Sequence, residues 1–319
     1  MPLVLGIDEA GYGPVLGPLV VGACLWEVPA HAPQSDWWDL LSDVVCRRAA
    51  RGDGRIPIGD SKKLYDRKRG IHTLERTVLA FARATGIPWQ TLGDLLAGLG
   101  CQPTTGSALP WYRDLARRVP QDPARSAFEG AAERLAATMN ACGLVCRALR
   151  VRIITEDFFN QRVRQTRNKA AVLLESVLNL IHHAAQTCRA DDLHVLVDRL
   201  GGRTEYRHVL MDALPDRTMH VLPAADGHHG YRLAGARNDL HVWFCVNGDQ
   251  KHLPIALASM TAKYVRELLM DCFNAYWAGV TPDLQPTAGY YTDAQRFLTD
   301  IRPHVDQTGI AAERFVRAR

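Results

Sequence analysis

Apolar residues along this chain follow two rhythms. Short apolar runs bounded by Gly, Pro or charged residues read as buried strands, and longer stretches with apolar positions three to four apart read as helices. The first run, Leu3-Val4-Leu5-Gly6-Ile7, stops at Asp8 and Glu9; a turn, Gly11-Tyr12-Gly13-Pro14, separates it from a second run over 17–23. A helix is predicted over 35–51 from Trp37, Trp38, Leu40, Leu41, Val44 and Val45. Another is predicted over 66–85, with a basic start at Arg67, Lys68 and Arg69, and an Ala-rich one over 124–141. A strand follows over 144–154, then a long helix over 169–186 preceded by Arg162, Arg164, Arg167 and Lys169. The run 193–198 ends in Asp198; a helix over 205–214, the run 219–222 and a Gly/His-rich loop over 226–230 come next. The last strand, 240–246, leads into Asn247-Gly248-Asp249, and a helix over 255–276 carries Lys263, Arg266 and Glu267. Gly289-Tyr290-Tyr291-Thr292 precedes a final helix. Strands mixed with helices on this scale predict an α/β domain whose central sheet is covered on both faces. Residues 87–122 break the rhythm, rich in Gly, Pro, Thr and Leu with Trp89, Trp111 and Tyr112. They read as an inserted subdomain or long loop within a domain made of 1–86 and 123–319.

Composition narrows this only a little. The 319 residues carry a formal charge of +4, which permits a nucleic-acid partner without demanding one. No run is long and apolar enough to span a membrane and no leader is visible, so the expectation is a soluble cytoplasmic monomer. Eight cysteines lack C-x-x-C spacing, which predicts reduced, buried thiols and no zinc site. His228 and His229, with Asp226, read as solvated loop residues, and His252 as an ordinary loop histidine.

The chemistry lies in the carboxylates. Three strands end in acids: Asp8 with Glu9, Asp198, and Asp249 just beyond the last strand. Neighbouring side chains on a regular strand point to opposite faces, so Asp8 and Glu9 converge only if the chain bends near Gly11. Burying such acids unpaired costs several kcal/mol or forces protonation, and a divalent cation keeps them charged. Hard oxygen ligands select Mg²⁺ or Mn²⁺ over zinc. Two such ions roughly 4 Å apart would activate water and stabilise a leaving oxygen. Separately, Lys62 and Lys63 follow Ser61 at a helix start, where cations oppose the helix dipole; a bound phosphate would resolve the conflict.

Residues 6–14, Gly-Ile-Asp-Glu-Ala-Gly-Tyr-Gly-Pro, resemble the opening signature of the type 2 ribonucleases H, the HII and HIII enzymes. Asp60-Ser61-Lys62-Lys63-Leu64 is similar to that family's basic segment. Asn247-Gly248-Asp249 with Ala258-Ser259-Met260-Thr261-Ala262-Lys263 resembles two further family segments at the family's spacing, and Gly289-Tyr290-Tyr291-Thr292 resembles its C-terminal Gly-Tyr-x-Thr. The likeness covers residues 1–85, 143–198 and 240–300. It implies a ribonuclease H-like mixed central sheet with helices on both faces and a C-terminal helical segment. It also implies an endonuclease whose two-metal site is Asp8, Glu9, Asp198 and Asp249. The implied substrate is the RNA strand, or single ribonucleotides, of RNA–DNA hybrid duplexes, cut to 3′-hydroxyl and 5′-phosphate ends. Substrate contacts are implied for Gly11, Tyr12, Gly13, Lys62, Lys63, Ser259, Lys263 and Tyr290, the 2′-hydroxyl being the handle that separates RNA from DNA.

The chain departs from the family where Tyr12 stands for an arginine, Asn247 for a lysine, and where the 87–122 and 199–239 segments are long. These departures bear on junction specificity more than on metal binding. Two other readings stay open: a nuclease of the same chemistry with another nucleic-acid substrate, and a non-catalytic binding relative. Four intact acids disfavour the latter, because a carboxylate cluster repels phosphate unless metal neutralises it.

Overall fold

A computed structural model of the chain describes all residues except 33–34, 51, 66–69, 102–108, 122, 124–127, 188–191, 226 and 319. The elements run β1 (Leu3–Ala10), β2 (Leu19–Glu27), α1 (Trp37–Leu40), β3 (Val45–Cys46), β4 (Ile56–Pro57), α2 (Ser61–Leu64), α3 (His72–Ala84), α4 (Leu92–Gly98), a 3₁₀ turn (Pro110–Tyr112) and α5 (Glu129–Ala141). They continue β5 (Val145–Ile154), α6 (Glu156–Thr166), α7 (Lys169–Thr187), β6 (Asp192–Asp198), α8 (Arg207–Ala213), β7 (Thr218–Ala225), β8 (His228–Ala234), β9 (Asp239–Cys245), α9 (Gly248–Lys251), α10 (Leu253–Val280) and α11 (Tyr291–Thr308).

Seven strands form one sheet in the order β5-β2-β1-β6-β9-β8-β7. β1, β6 and β9 lie parallel at its centre, and antiparallel neighbours flank them on both sides. Period-two alternation sorts the side chains between two cores. From β1, Leu3, Leu5 and Ile7 pack with α7, while Val4 and Ala10 pack with α10 and α3. This is the mixed sheet with helices on both faces that the sequence predicts.

The approach of α10 sets the site. Cβ atoms at Gly6 and Gly22 would fall 2.3 Å from the Pro254 carbonyl carbon and 2.2 Å from the Ala258 oxygen. Only glycine lets the helix backbone settle on β1 and β2 at that depth. Residues 87–122 join the same core through Trp111, which meets Phe273 and Phe315 edge to face and Trp277 at a tilt. A Thr91–Asp94 capping box starts α4 within them.

Several expectations are corrected. The helix over 35–51 shrinks to α1, because both indoles turn inward to carbonyls of Ala32 and Ile58 and the chain then enters β3. The 226–230 loop is largely the start of β8, where His229 and Gly230 pair with Phe244 and Trp243. α6 was not predicted, since only Glu156, Phe159 and Asn160 of it are buried and its apolar stripe is thin. The predicted basic start at Arg67, Lys68 and Arg69, and Asp226, lie outside the described residues.

Candidate functional site

Asp8, Glu9, Asp198 and Asp249 meet at one end of the central strands. The parallel β1–β6 register pairs Ile7 with Val197, so Asp8 and Asp198 stand side by side one residue further on. On the other flank Asp198 pairs with Cys245, the last residue of β9. Asn247, with φ of 53°, then turns the chain left-handed into α9, which presents Asp249. Asp198 Oδ1 accepts the Gly248 N–H at 2.7 Å and so ties that turn to β6.

Asp8 is 7 % exposed, on the α10 face. Its Oδ1 accepts the N–H of Glu9 at 2.7 Å. Ser259 on α10 donates to the Asp8 carboxyl, and Ser61 lies 3.1 Å from Ser259. Glu9 belongs to the opposite face by alternation, yet β1 is ending and its carboxyl reaches that of Asp8. Its Oε2 is buried with no hydrogen-bond partner.

The acids hold one another out of their ordinary range. Burial, then Glu9 and Asp198, push the Asp8 carboxyl well above the usual carboxylate pKa. Burial and Asp198 push Glu9 up to about 7. Burial raises Asp198, and burial with Asp60 and Asp198 raises Asp249 to about 6. Asp60, which caps α2 by accepting the Lys62 N–H, is therefore a fifth carboxylate at this edge. Sequence reading passed over it; its signal was an acid directly before Ser-Lys-Lys.

Among the predicted contacts, Lys62 is exposed and counters Glu9, Asp198 and Asp249 together. Lys63 is exposed and pairs with Asp60 at 3.5 Å. Lys263 is placed otherwise: it is bonded to Glu267 at 2.5 Å, inside a cluster with the Tyr65 ring and hydroxyl. Gly11, with φ of 88°, starts the turn beside the acids, and a Cβ there would strike Arg266 and the Pro18 carbonyl. Tyr12 is half-buried under Lys169, whose Nζ lies 5.3 Å from the ring centre. Gly13 has open space around it. Tyr290, exposed, immediately precedes α11 with its ring 5.9 Å from the Arg266 guanidinium.

Two buried arginines underlie this turn, and sequence reading assigned neither a role there. Arg317 donates to the carbonyls of Gly11 and Tyr12, its own N–H bonds Val15 at 2.8 Å, and its guanidinium covers Phe159. Arg266 donates to the Ala288 carbonyl at 3.1 Å. Position 12 thus lacks a cation in its side chain but has one behind it, spent on main-chain carbonyls.

No protein-family model matches the chain. A ribonuclease H2 subunit from Dictyostelium discoideum is 40% identical over 68 residues, 21% of this chain; the match spans only 17% of that relative's length. The PCNA:RNase HII complex from Archaeoglobus fulgidus includes a chain of 16% identity and TM-score 0.43, matched over 99% of this chain and 94% of that one. Ribonuclease H2 from Pyrococcus horikoshii OT3 matches at 13% identity and TM-score 0.43, over 98% and 92%. Bst-RNase HIII in complex with Mn²⁺ matches at 16% identity and TM-score 0.40, over 93% and 62%. Each of these similarities is to a type 2 ribonuclease H, the family whose motifs the chain resembles.

Proposed function

We propose that this protein is a divalent-metal-dependent endoribonuclease that cuts the RNA strand, or ribonucleotides, of RNA–DNA hybrid duplexes. One observation carries the reading: carboxylates from β1, β6 and α9 converge, and Glu9 Oε2 is buried there without a partner. Such a cluster is unfavourable as it stands. An all-oxygen donor set fits Mg²⁺ or Mn²⁺, and Asp8, Glu9, Asp198 and Asp249 would hold the ions. When bound, the ions supply a lowered water pKa and charge stabilisation at the scissile phosphate.

The chain's own residues do the rest. Ser259 and the Glu9 N–H fix the Asp8 carboxylate, and the Gly248 N–H fixes that of Asp198, so both are oriented before any ligand arrives. Lys62 places an exposed cation where a phosphodiester would pass the acids. The Gly11–Gly13 turn and the exposed Tyr290 ring border the same edge, positioned for a ribose hydroxyl and a sugar or base face. The products would be 3′-hydroxyl and 5′-phosphate ends.

The test is cleavage of matched duplexes carrying an RNA strand, a single ribonucleotide or DNA alone, with Mg²⁺ or Mn²⁺. Cutting restricted to ribonucleotide-containing duplexes, abolished by chelator, is expected. Equal cutting of the all-DNA duplex, or none of any, would overturn the reading.

A further inference from the structure

The fold assembles a second set of metal donors that is unlike the carboxylates. His228 at the start of β8, Cys245 at the end of β9 and His252 before α10 place one ligand atom each within 4.8 Å of one another. Bond lengths of about 2.3 Å to sulfur and 2.0–2.1 Å to nitrogen put tetrahedral ligands roughly 3.3–3.7 Å apart, so a small contraction suffices. The imidazoles meet edge to face at 5.5 Å between ring centres. His252 Nε2 is buried and bonded to nothing, a polar atom that the protein alone leaves unsatisfied.

We propose that His228, Cys245 and His252 form a zinc site. Two imidazoles and a thiolate are a borderline-soft set that selects Zn²⁺ over Mg²⁺ or Mn²⁺, and three protein ligands leave a fourth position for water. Binding forms one zinc–sulfur bond and releases the Cys245 thiol proton to solvent. Lys251, exposed, has its Nζ 3.2 Å from His228 Nε2, so an ion bound at that nitrogen would take the lysine's place there. A second close group of such side chains among the described residues, Asp192, Asp239 and His241, is different, because Asp239 is already committed to Arg232.

The donors at 228, 245 and 252 match no C-x-x-C spacing, so no zinc site was expected. Their position gives the ion a role. Asp249 sits on the short turn between Cys245 and His252, and an ion bridging both ends to β8 clamps that turn. The assignment does not depend on the nuclease reading, since its measurements involve no cleavage.

The experiment uses the full chain, stripped with chelator and titrated with Co²⁺ as a spectroscopic probe and then Zn²⁺, with Mg²⁺ in excess to fill the acids. Expected is one equivalent of Co²⁺ with a sulfur-to-cobalt charge-transfer band, displaced by one equivalent of Zn²⁺. Cys245→Ser should lose the band, and His228→Gln, at a partly exposed position, should weaken binding at least tenfold with the fold intact by circular dichroism. Cobalt binding without a thiolate band, or unchanged affinity in His228→Gln, would overturn the proposal.

Discussion

Glu9 offers a test of the site that needs no substrate. Its carboxyl is pushed from 4.5 to about 7 by burial and Asp198, a displacement corresponding to roughly 3 kcal/mol. A folded-state pKa above the unfolded value means that the protonated group's stabilisation is complete below about pH 4.5 and is lost as pH rises through about 7. Glu9→Gln removes the ionisation while keeping the shape. In chelator, the variant should therefore match wild type at pH 4.5 and exceed it by about 3 kcal/mol at pH 8. For a chain of this size that is about 6 °C in Tm, at about 2 °C per kcal/mol. A divalent cation reverses the order: at a hundred times Kd it stabilises wild type by about 3 kcal/mol. The variant, one ligand short, gains less. Urea and thermal unfolding at both pH values, with chelator or with Mg²⁺, measure all four corners. If Glu9→Gln is destabilised equally at both pH values in chelator, or if Mg²⁺ leaves wild-type Tm unchanged at pH 8, the carboxylates do not form a strained, cation-seeking cluster.

Further outcomes are expected. Asp8→Asn, Asp198→Asn and Asp249→Asn should each lower hybrid cleavage a hundredfold or more with unfolding unimpaired; a gel cleavage assay beside a melting curve checks this. Lys62→Ala should weaken hybrid binding and lower the salt slope by about one ion, measured by fluorescence anisotropy across salt. Lys263→Ala should leave that slope unchanged and reduce stability instead, because its charge is spent on Glu267. Tyr290→Ala should cost roughly 1–3 kcal/mol of binding near the cut, read from kcat/KM on single-ribonucleotide and all-RNA strands. With Tyr12 in place of a cation, wild type should discriminate less sharply for the lone ribonucleotide, and Tyr12→Arg should sharpen it. Gly6→Ala should cost at least 1–3 kcal/mol in urea unfolding, since the Pro254 main chain has no room to yield.

Much of the site was legible because strands advertise their ends. Asp8 and Asp198 each close an apolar run, and adjacency in a parallel pair follows from that placement once the strands are neighbours. Asp60 escaped because it belongs to a cap and not a strand, so no periodic pattern points at it. Lys263 stands near the acids in sequence, and in the structure it is paired with Glu267 one helical turn later. Arg317 was invisible, since a lone arginine after the last helix has no pattern at all. The helix over 35–51 failed because Trp37 and Trp38 satisfy a helical stripe while their indole N–H groups are drawn to carbonyls elsewhere.

The contact between Arg317 and the Gly11–Tyr12 turn spans 306 positions of chain. Proteins are made from the N-terminus onward. The acidic strand is therefore translated well before the guanidinium that fastens its turn, which is added some three hundred residues later. Until then two carbonyls of the turn lack the guanidinium that holds them, and nothing yet links Val15 to Phe159 through Arg317. A growing chain therefore carries its acids for some three hundred residues of synthesis without the guanidinium that shapes the turn beside them.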